Sequence, residues 1–303
     1  MTSPTGPTTD PDRPAPPEPL ACECGAALPP LWEPEWAYWS RPYECAPCRE
    51  TRLQERREAE TADALAAAGI PARWRALTLA LTLRLGDQGR EPWEAFRARL
   101  EAQPAPTLGI TPWNATAART CLTWRPDRPG PHTDGVILLA GPVGGGKSAL
   151  ALAALGDAIR RDPTLGALFM PEPTLLEIMR LEASGARRRG ILDRVASVQV
   201  LVLDELGSTE RVSDWHRDAI EYVIGARYNA ALPTLITTNL TLEAIAETYG
   251  DRVVSRLVES LGGTRRALPG FREVVGMDWR TDTPHTPIAR PAPKSTPAAQ
   301  EPA

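Results

Sequence analysis

The sequence predicts an α/β domain built on a parallel sheet, and three observations carry the prediction. Between residues 131 and 275, short apolar runs alternate with stretches of helical period, as in strands joined by crossover helices. One run, Val136-Ile137-Leu138-Leu139, leads through a glycine-rich turn into an Ala/Leu-rich segment. Another, Val198–Leu203, ends in two adjacent acids, Asp204 and Glu205.

The elements follow in order. Val136–Leu139 reads as a buried strand and Ala149–Arg160 as the helix after the turn. Ala167–Met170 is a second short strand, and Thr174–Val195 is helical. After the third strand, Val198–Leu203, the amphipathic stretch Trp215–Asn229 forms a helix leading to a fourth strand, Thr234–Thr238. No internal repeat is visible.

Composition divides the rest. Residues 1–20 and 276–303 are expected to be disordered tails. They are rich in Pro, Thr and Ala, most clearly from 281 onward, and have too few bulky apolar side chains to offset the entropy of ordering. Residues 21–50 form a short Cys/Trp/Pro module. Residues 51–130 read as a helical connector. It opens with a charged helix, Thr51–Ala68, that stops at Gly69-Ile70-Pro71, and a second helix is expected over Pro92–Ala102, with Pro in its first turn. The segment that follows, from Gln103 to Ala115, reads as loop. Residues 131–275 are the α/β domain. No stretch approaches the roughly 18 consecutive apolar residues of a membrane span, and no secretory pattern opens the chain, so a cytoplasmic location without membrane contact is expected. With a net charge of −4, any nucleic-acid contact must use a local basic patch.

The turn Gly141-Pro142-Val143-Gly144-Gly145-Gly146-Lys147-Ser148 fits G-x-x-x-x-G-K-[ST] without mismatch, between a strand and a helix as that motif requires. Glycines let backbone N–H groups converge on phosphates, and the helix N-terminus adds its positive end. Lys147 is expected to reach the β- and γ-phosphates of ATP, and Ser148 to join the Mg²⁺ shell. Asp204 is the second Mg²⁺ partner, and Glu205 is expected to polarise the attacking water. Asn239, closing Thr237-Thr238-Asn239, is placed to orient that water or the γ-phosphate.

Cys22-x-Cys24 and Cys45-x-x-Cys48 offer four thiolates suited to one tetrahedral Zn²⁺, free buried thiols being the alternative, with Trp32, Trp36, Tyr38 and Trp39 between them to cover the site or to dock a partner. Cys121 stands alone, and no role is assigned to it. Arg187-Arg188-Arg189 is either a phosphate-tracking patch for single-stranded DNA or a solvated helix end where arginine suits the macrodipole.

From Ile70 to Arg272 the chain resembles the DnaC/DnaI-type replicative helicase loaders and their IstB-type relatives among AAA+ proteins. The likeness rests on GPVGGGKS, LVLDELGS, Trp215 through Ile220-Glu221 to Arg227-Tyr228-Asn229, LPTLITTNL, and Gly250–Leu257 in that order. It implies an AAA+ P-loop core with the acid-bearing strand separated from the P-loop strand by the TTN strand. The lid is expected to be reduced, and a small four-cysteine zinc-binding module precedes the core. It also implies self-association through shared ATP sites, with Arg256 as the arginine offered to a neighbour's γ-phosphate. Arg252 is the alternative, and Arg227 could be an internal site arginine; Phe271-Arg272 matches a terminal aromatic–Arg pair without an assigned role. The expected activity is ATP-dependent loading of the replicative helicase onto single-stranded DNA. An IstB-like transposase helper on duplex DNA and a non-hydrolysing ATP-regulated helicase adaptor are the other readings.

Overall fold

The computed structural model describes residues 14–33, 35–77, 117, 120–121, 124–126, 135–209, 212–261, 271–273, 277–278 and 283–284. The helix expected over Pro92–Ala102 and the loop from Gln103 to Ala115 lie outside them. The chain divides into two compact units, Met1–Glu60 and Thr61–Ala303.

The larger unit is a five-stranded parallel sheet. Its strands are β5 (Val136–Ala140), β6 (Ala167–Pro171), β7 (Val200–Leu206), β8 (Thr234–Thr238) and β9 (Phe271–Glu273), in the order β6-β7-β8-β5-β9. The P-loop strand β5 and the acid-bearing strand β7 therefore flank β8, as the resemblance implied. Phe271-Arg272 acquires a structural place: β9 pairs with β5, and Arg272 Nε donates to Thr120 Oγ1 at 2.7 Å.

Successive strand residues point to opposite faces, so the apolar runs feed two cores. Ile137, Leu139, Val200, Val202 and Leu235 pack with helix α2 (Lys147–Arg161) on one face. Leu138, Leu201, Leu203 and Ile236 pack on the other face with α3 (Glu172–Leu181), α4 (Gly185–Ser197), α5 (Asp214–Asn229), α6 (Leu242–Tyr249) and α7 (Asp251–Ser260). Helix α2 is buried almost all round, which explains its Ala/Leu composition: small side chains let it approach the sheet closely. Its outer side is covered by Ile70, Leu77, Cys121 and Trp124. The stretch expected to be a connector, 51–130, therefore contributes to the domain core. Burial pushes the Cys121 thiol up to about 12, so it is an inert core residue.

Three expectations are corrected. Thr174–Val195 is two helices, α3 and α4, broken at Glu182–Ser184. Ser184 caps α4 by accepting from Arg187 N at 3.4 Å. The third strand begins at Val200 rather than Val198 and runs through both acids to Leu206. Within the segments expected to be tails, Leu20–Ala21 forms β1 and Thr283–Pro284 pairs with Met277–Asp278. Helix α1 (Ala46–Ala67) ends as read, at Gly69. Its φ of +78° carries a Schellman closure, with Ile70 N donating to Leu65 O at 3.2 Å and Gly69 N to Ala66 O at 3.0 Å. Among the described residues no helix follows α7, and no helix is long and apolar enough to cross a membrane.

Arg227 is not a site residue. It is 3% exposed, and its guanidinium caps backbone at the amino ends of β7 and β8. Nη1 donates to Val198 O at 2.7 Å, Nη2 to Pro233 O at 2.7 Å, and Nε to Thr234 Oγ1 at 2.8 Å. Burial pulls its pKa down to about 10, which still leaves it charged at neutral pH. Arg227→Ala strands these acceptors in the core, so it should lower unfolding free energy by about 3 kcal/mol in urea titration. Arg227→Lys, without the planar fork, should recover only part of it.

Candidate functional site

The carboxyl ends of β5, β7 and β8 lie side by side, at the end of a parallel sheet where ligands bind. The P-loop leaves β5 at Gly141, whose N–H donates to Thr238 O of β8 at 3.1 Å. Gly144 and Gly146 adopt φ of +84° and +85°, the left-handed region that a Cβ disfavours. They turn the loop so that α2 starts at Lys147, with Ser148 half-buried in its first turn and Val143 exposed at the loop tip. The first-turn N–H groups, which have no partner within the helix, and the helix dipole make an anion cradle. Lys147 is 6% exposed, and its Nζ donates to Gly141 O at 2.8 Å and Pro142 O at 2.6 Å.

The acids occupy a β-bulge. Leu203 pairs with Ile236 and Leu206 with Thr238, so Asp204 and Glu205 together oppose Thr237. Glu205 sits at φ +59°, rare for a residue with a Cβ and a form of strain found at working sites. The two side chains differ in exposure: Asp204 is 5% exposed, whereas Glu205 is exposed. One hydroxyl holds this arrangement. Thr237 Oγ1 donates to Asp204 Oδ1 at 2.5 Å and accepts from Glu205 N at 2.9 Å. Asn239 follows, exposed at the carboxyl end of β8. The P-loop, both acids and Asn239 therefore lie at one end of the sheet.

Two residues escaped the sequence reading. Thr237 was visible only as part of the TTN run, because its role depends on the register between β7 and β8. Glu172, fully buried at the carboxyl end of β6, accepts from Gly207 N at 2.6 Å and from the Tyr249 hydroxyl. It ties the loop after the acids to the end of α6. Burial raises its carboxyl pKa and raises that of Tyr249 as well. No sequence signal marks it, since its partners are 35 and 77 residues away.

Arg256 contacts none of these groups in the recorded bonds. Its Nη1 lies 3.7 Å from Glu221 Oε1 on α5, and Arg252 Nη1 lies 3.1 Å from the same oxygen. The arginine cluster lies in the first turns of α4, not at a C-terminus, so the macrodipole does not explain it. Arg187 pairs with Glu182 at 3.9 Å and Arg189 with Asp193 at 3.3 Å, and Arg189 also lies over the Tyr222 ring.

In the smaller unit the four cysteines converge. Cys22 and Cys24 sit in the turn between β1 and β2 (Ala27–Leu28), and Cys45 and Cys48 at the start of α1. Their Sγ atoms lie within 4.8 Å of one another, with Cys24 and Cys45 at 3.5 Å. Tetrahedral zinc at about 2.3 Å from each sulfur needs separations of about 3.8 Å, so the donor set fits. Backbone N–H groups of Cys24 and Cys45 lower the Cys22 thiol to about 6, whereas hydrogen bonds with Cys45, Cys24 and Cys22 raise that of Cys48, so the four sulfurs share their protons unevenly. Trp32 and Trp39 pack edge to face at 5.3 Å across β3 (Leu31–Glu33) and β4 (Tyr38–Ser40). Trp36 and Tyr38 face solvent, so they do not form the expected cover.

Thr237→Val keeps side-chain shape and removes the bridging hydroxyl. It should cost about 2 kcal/mol of stability in denaturant titration. The gain in nucleotide affinity on adding Mg²⁺ should fall at least several-fold in calorimetry, and Thr237→Ser should retain it.

The family model for IstB-like ATP binding protein matches residues 132–259, which hold the P-loop, the bulged acids and Arg256. The replicative helicase loader DnaC of Escherichia coli (strain K12) is 25% identical over 123 residues, 40% of this chain and 49% of that protein. The chain thus spans about half the length of these curated relatives. The uncharacterized protein YqaM of Bacillus subtilis (strain 168) is 29% identical over 124 residues, 39% of each chain. Among solved structures, the DnaC helicase loader aligns with a TM-score of 0.44 at 25% identity, covering 67% of this chain and 99% of that one. DnaI aligns with a TM-score of 0.44 at 20% identity, covering 69% and 93%. The IstB-like match lies on the strands that carry the site, and β8 stands between the P-loop and acid strands, so this segment of the chain resembles the DnaC/IstB-type AAA+ ATPases.

Proposed function

We propose that this protein loads the replicative DNA helicase onto single-stranded DNA, using ATP bound between neighbouring copies of the chain. The observation that carries the inter-subunit part is the separation within one chain. The P-loop, Asp204, Glu205, Thr237 and Asn239 share one sheet end, whereas Arg256 is recorded against Glu221 on α5. The loader reading draws on the sequence likeness to a replicative helicase loader.

Mg²⁺-ATP, when bound, supplies an activated γ-phosphoryl group and a cation to balance its charge. Lys147 would exchange its two carbonyl partners for phosphate oxygens, and Ser148 and Asp204 would hold the cation. Glu205, exposed on the bulge, is free to orient water and accept its proton, while Thr237 keeps its backbone in place. Asn239 would fix the water's second hydrogen bond. Arg256 of one subunit would neutralise charge at its neighbour's site, an effect worth roughly 10³–10⁵ in rate elsewhere. Arg187, Arg188 and Arg189 offer an exposed basic patch for single-stranded DNA, weakened by the carboxylates of Glu182 and Asp193.

The family model's name favours a second reading, a transposase helper acting on duplex DNA. A non-hydrolysing helicase adaptor is the third. The test combines ATPase rates with the host's replicative helicase on single-stranded or duplex DNA. Glu205→Gln should bind ATP and not turn over. Arg256→Ala should bind ATP and hydrolyse poorly, and mixing the two should restore part of the rate. Stimulation by the helicase and single strands supports the loader. Stimulation only by duplex supports the transposase helper, and binding of helicase without turnover supports the adaptor. A rate strictly proportional to concentration, with no recovery on mixing, would show each site complete in one chain.

For the smaller unit we infer one structural Zn²⁺ held by Cys22, Cys24, Cys45 and Cys48. Elemental analysis of freshly purified protein should find about one zinc per chain. The metal should be absent from Cys45→Ser/Cys48→Ser, whose first unit should lose protease resistance while ATP affinity stays unchanged.

A further inference from the structure

Two pairs of residues, each spaced by four, meet where α7 packs on α5. Arg252 and Arg256 share a face of α7, and Glu221 and Gly225 share a face of α5. Arg252 Nη1 donates to Glu221 Oε1 at 3.1 Å, and Arg256 Nη1 stands 3.7 Å from the same atom. The arginines are seated differently. The Arg252 side chain is 72% exposed and reaches out from its helix, whereas that of Arg256 is 26% exposed.

Gly225 explains the difference. It lies inside a helix of 16 residues, and its φ is not in the left-handed region, so backbone conformation does not call for glycine there. Space does. A Cβ built on Gly225 would stand 2.5 Å from Arg256 Nη1 and 3.1 Å from Arg256 Cζ. The guanidinium therefore rests over the place where any other residue would put its side chain. The atom that would be struck is the far end of a flexible chain, so a methyl at 225 displaces Arg256 without breaking the helix. Alanine is also the better helix former.

We propose that Gly225 and Glu221 are positioning residues: the glycine leaves a slot for the Arg256 guanidinium, and the Glu221 carboxylate holds it there against Arg252. This rests on the reading that Arg256 acts on a neighbour's γ-phosphate. An arginine has many rotamers to lose when it docks, and one already ordered on its own subunit loses fewer on meeting the next. The carboxylate also separates two cations four residues apart that would otherwise repel each other. Arg252 makes the shorter bond but has no slot, so it supports the charge balance and does not reach across.

Gly225→Ala is the test, because it leaves the fold intact. Its denaturation midpoint should equal or exceed that of the parent, and its ATP affinity should be unchanged. The neighbour-dependent kcat should fall tenfold or more with KM unmoved, and mixing with Glu205→Gln should restore part of it. The double variant Gly225→Ala/Arg256→Ala should be no slower than Arg256→Ala alone, since both remove one group from one place. Glu221→Gln should give a smaller fall. Self-association on a non-hydrolysable ATP analogue, read by sedimentation, should follow the same ranking. If Arg256→Ala is impaired while Gly225→Ala matches the parent, the seat is wrong and the inter-subunit reading stands. Independent, multiplying losses in the double variant overturn it equally. If Arg256→Ala itself hydrolyses and associates like the parent, both fall together.

Discussion

A single hydroxyl, that of Thr237, joins the two acids at the end of β7. It donates to the buried Asp204 carboxylate and accepts from the Glu205 amide, so both of its functions are used inside the protein. That double use makes the left-handed Glu205 tolerable: the strained residue gains a hydrogen bond for its N–H that a regular ladder would otherwise have supplied. Of the two acids, Asp204 is buried and Glu205 exposed. A regular strand would also alternate them, but it would keep the ladder that the bulge interrupts here. Because β8 lies between the P-loop strand and the acid strand, it controls both. Thr238 receives the first amide of the P-loop through its carbonyl, and its hydroxyl donates to Leu206 O on the other side at 2.7 Å.

The same logic governs the buried charges. Lys147, Glu172, Asp204 and Arg227 are each under 10% exposed, and each meets backbone or hydroxyl groups at an end of the sheet. Strand ends are where carbonyls and amides run out of ladder partners, so a charged side chain satisfies several at once. Arg227 does this at the amino end. Glu172 does it at the carboxyl end, where it draws Gly207 and Tyr249 together. The site is therefore built on a frame held at both ends by buried side-chain hydrogen bonds. Glu205 and Asn239, the groups proposed to orient the attacking water, are left exposed.

The smaller unit solves a different problem. It has few buried apolar residues, with Cys22 and Leu28 among the exceptions, and its strands are two or three residues long. A core of that size cannot hold a fold by burial alone. Its four cysteine sulfurs lie within 4.8 Å of one another, so the zinc proposed for them would supply the missing cross-link. The exposed Trp36 and Tyr43 remain outside that arrangement.

Much was legible in the sequence because it is encoded locally. The P-loop needs glycine at φ values only glycine accepts readily, and a lysine and serine at fixed offsets, so GPVGGGKS identifies itself. Buried parallel strands favour apolar and β-branched runs, and the strands around Val136, Ala167, Val200 and Thr234 could be read for that reason. The cysteine pairs were likewise readable from spacing. Other features depended on residues far apart in the chain meeting, and only the tertiary structure decided them. The register between β7 and β8 made Asp204 and Glu205 a bulge and gave Thr237 its place. Arg227 was a candidate site arginine until folding carried it to the opposite end of the sheet. The charged stretch around Arg187 looked continuous with the helix before it until Ser184 was seen to cap a new one. Gly225 was one small residue in an amphipathic helix until α7 laid Arg256 across it. The sequence by itself determined which groups could bind a nucleotide, because that chemistry is a short motif. Packing determined which groups hold them still, because a positioning contact has no motif: it exists only where two distant stretches of chain are brought within about 3 Å of each other.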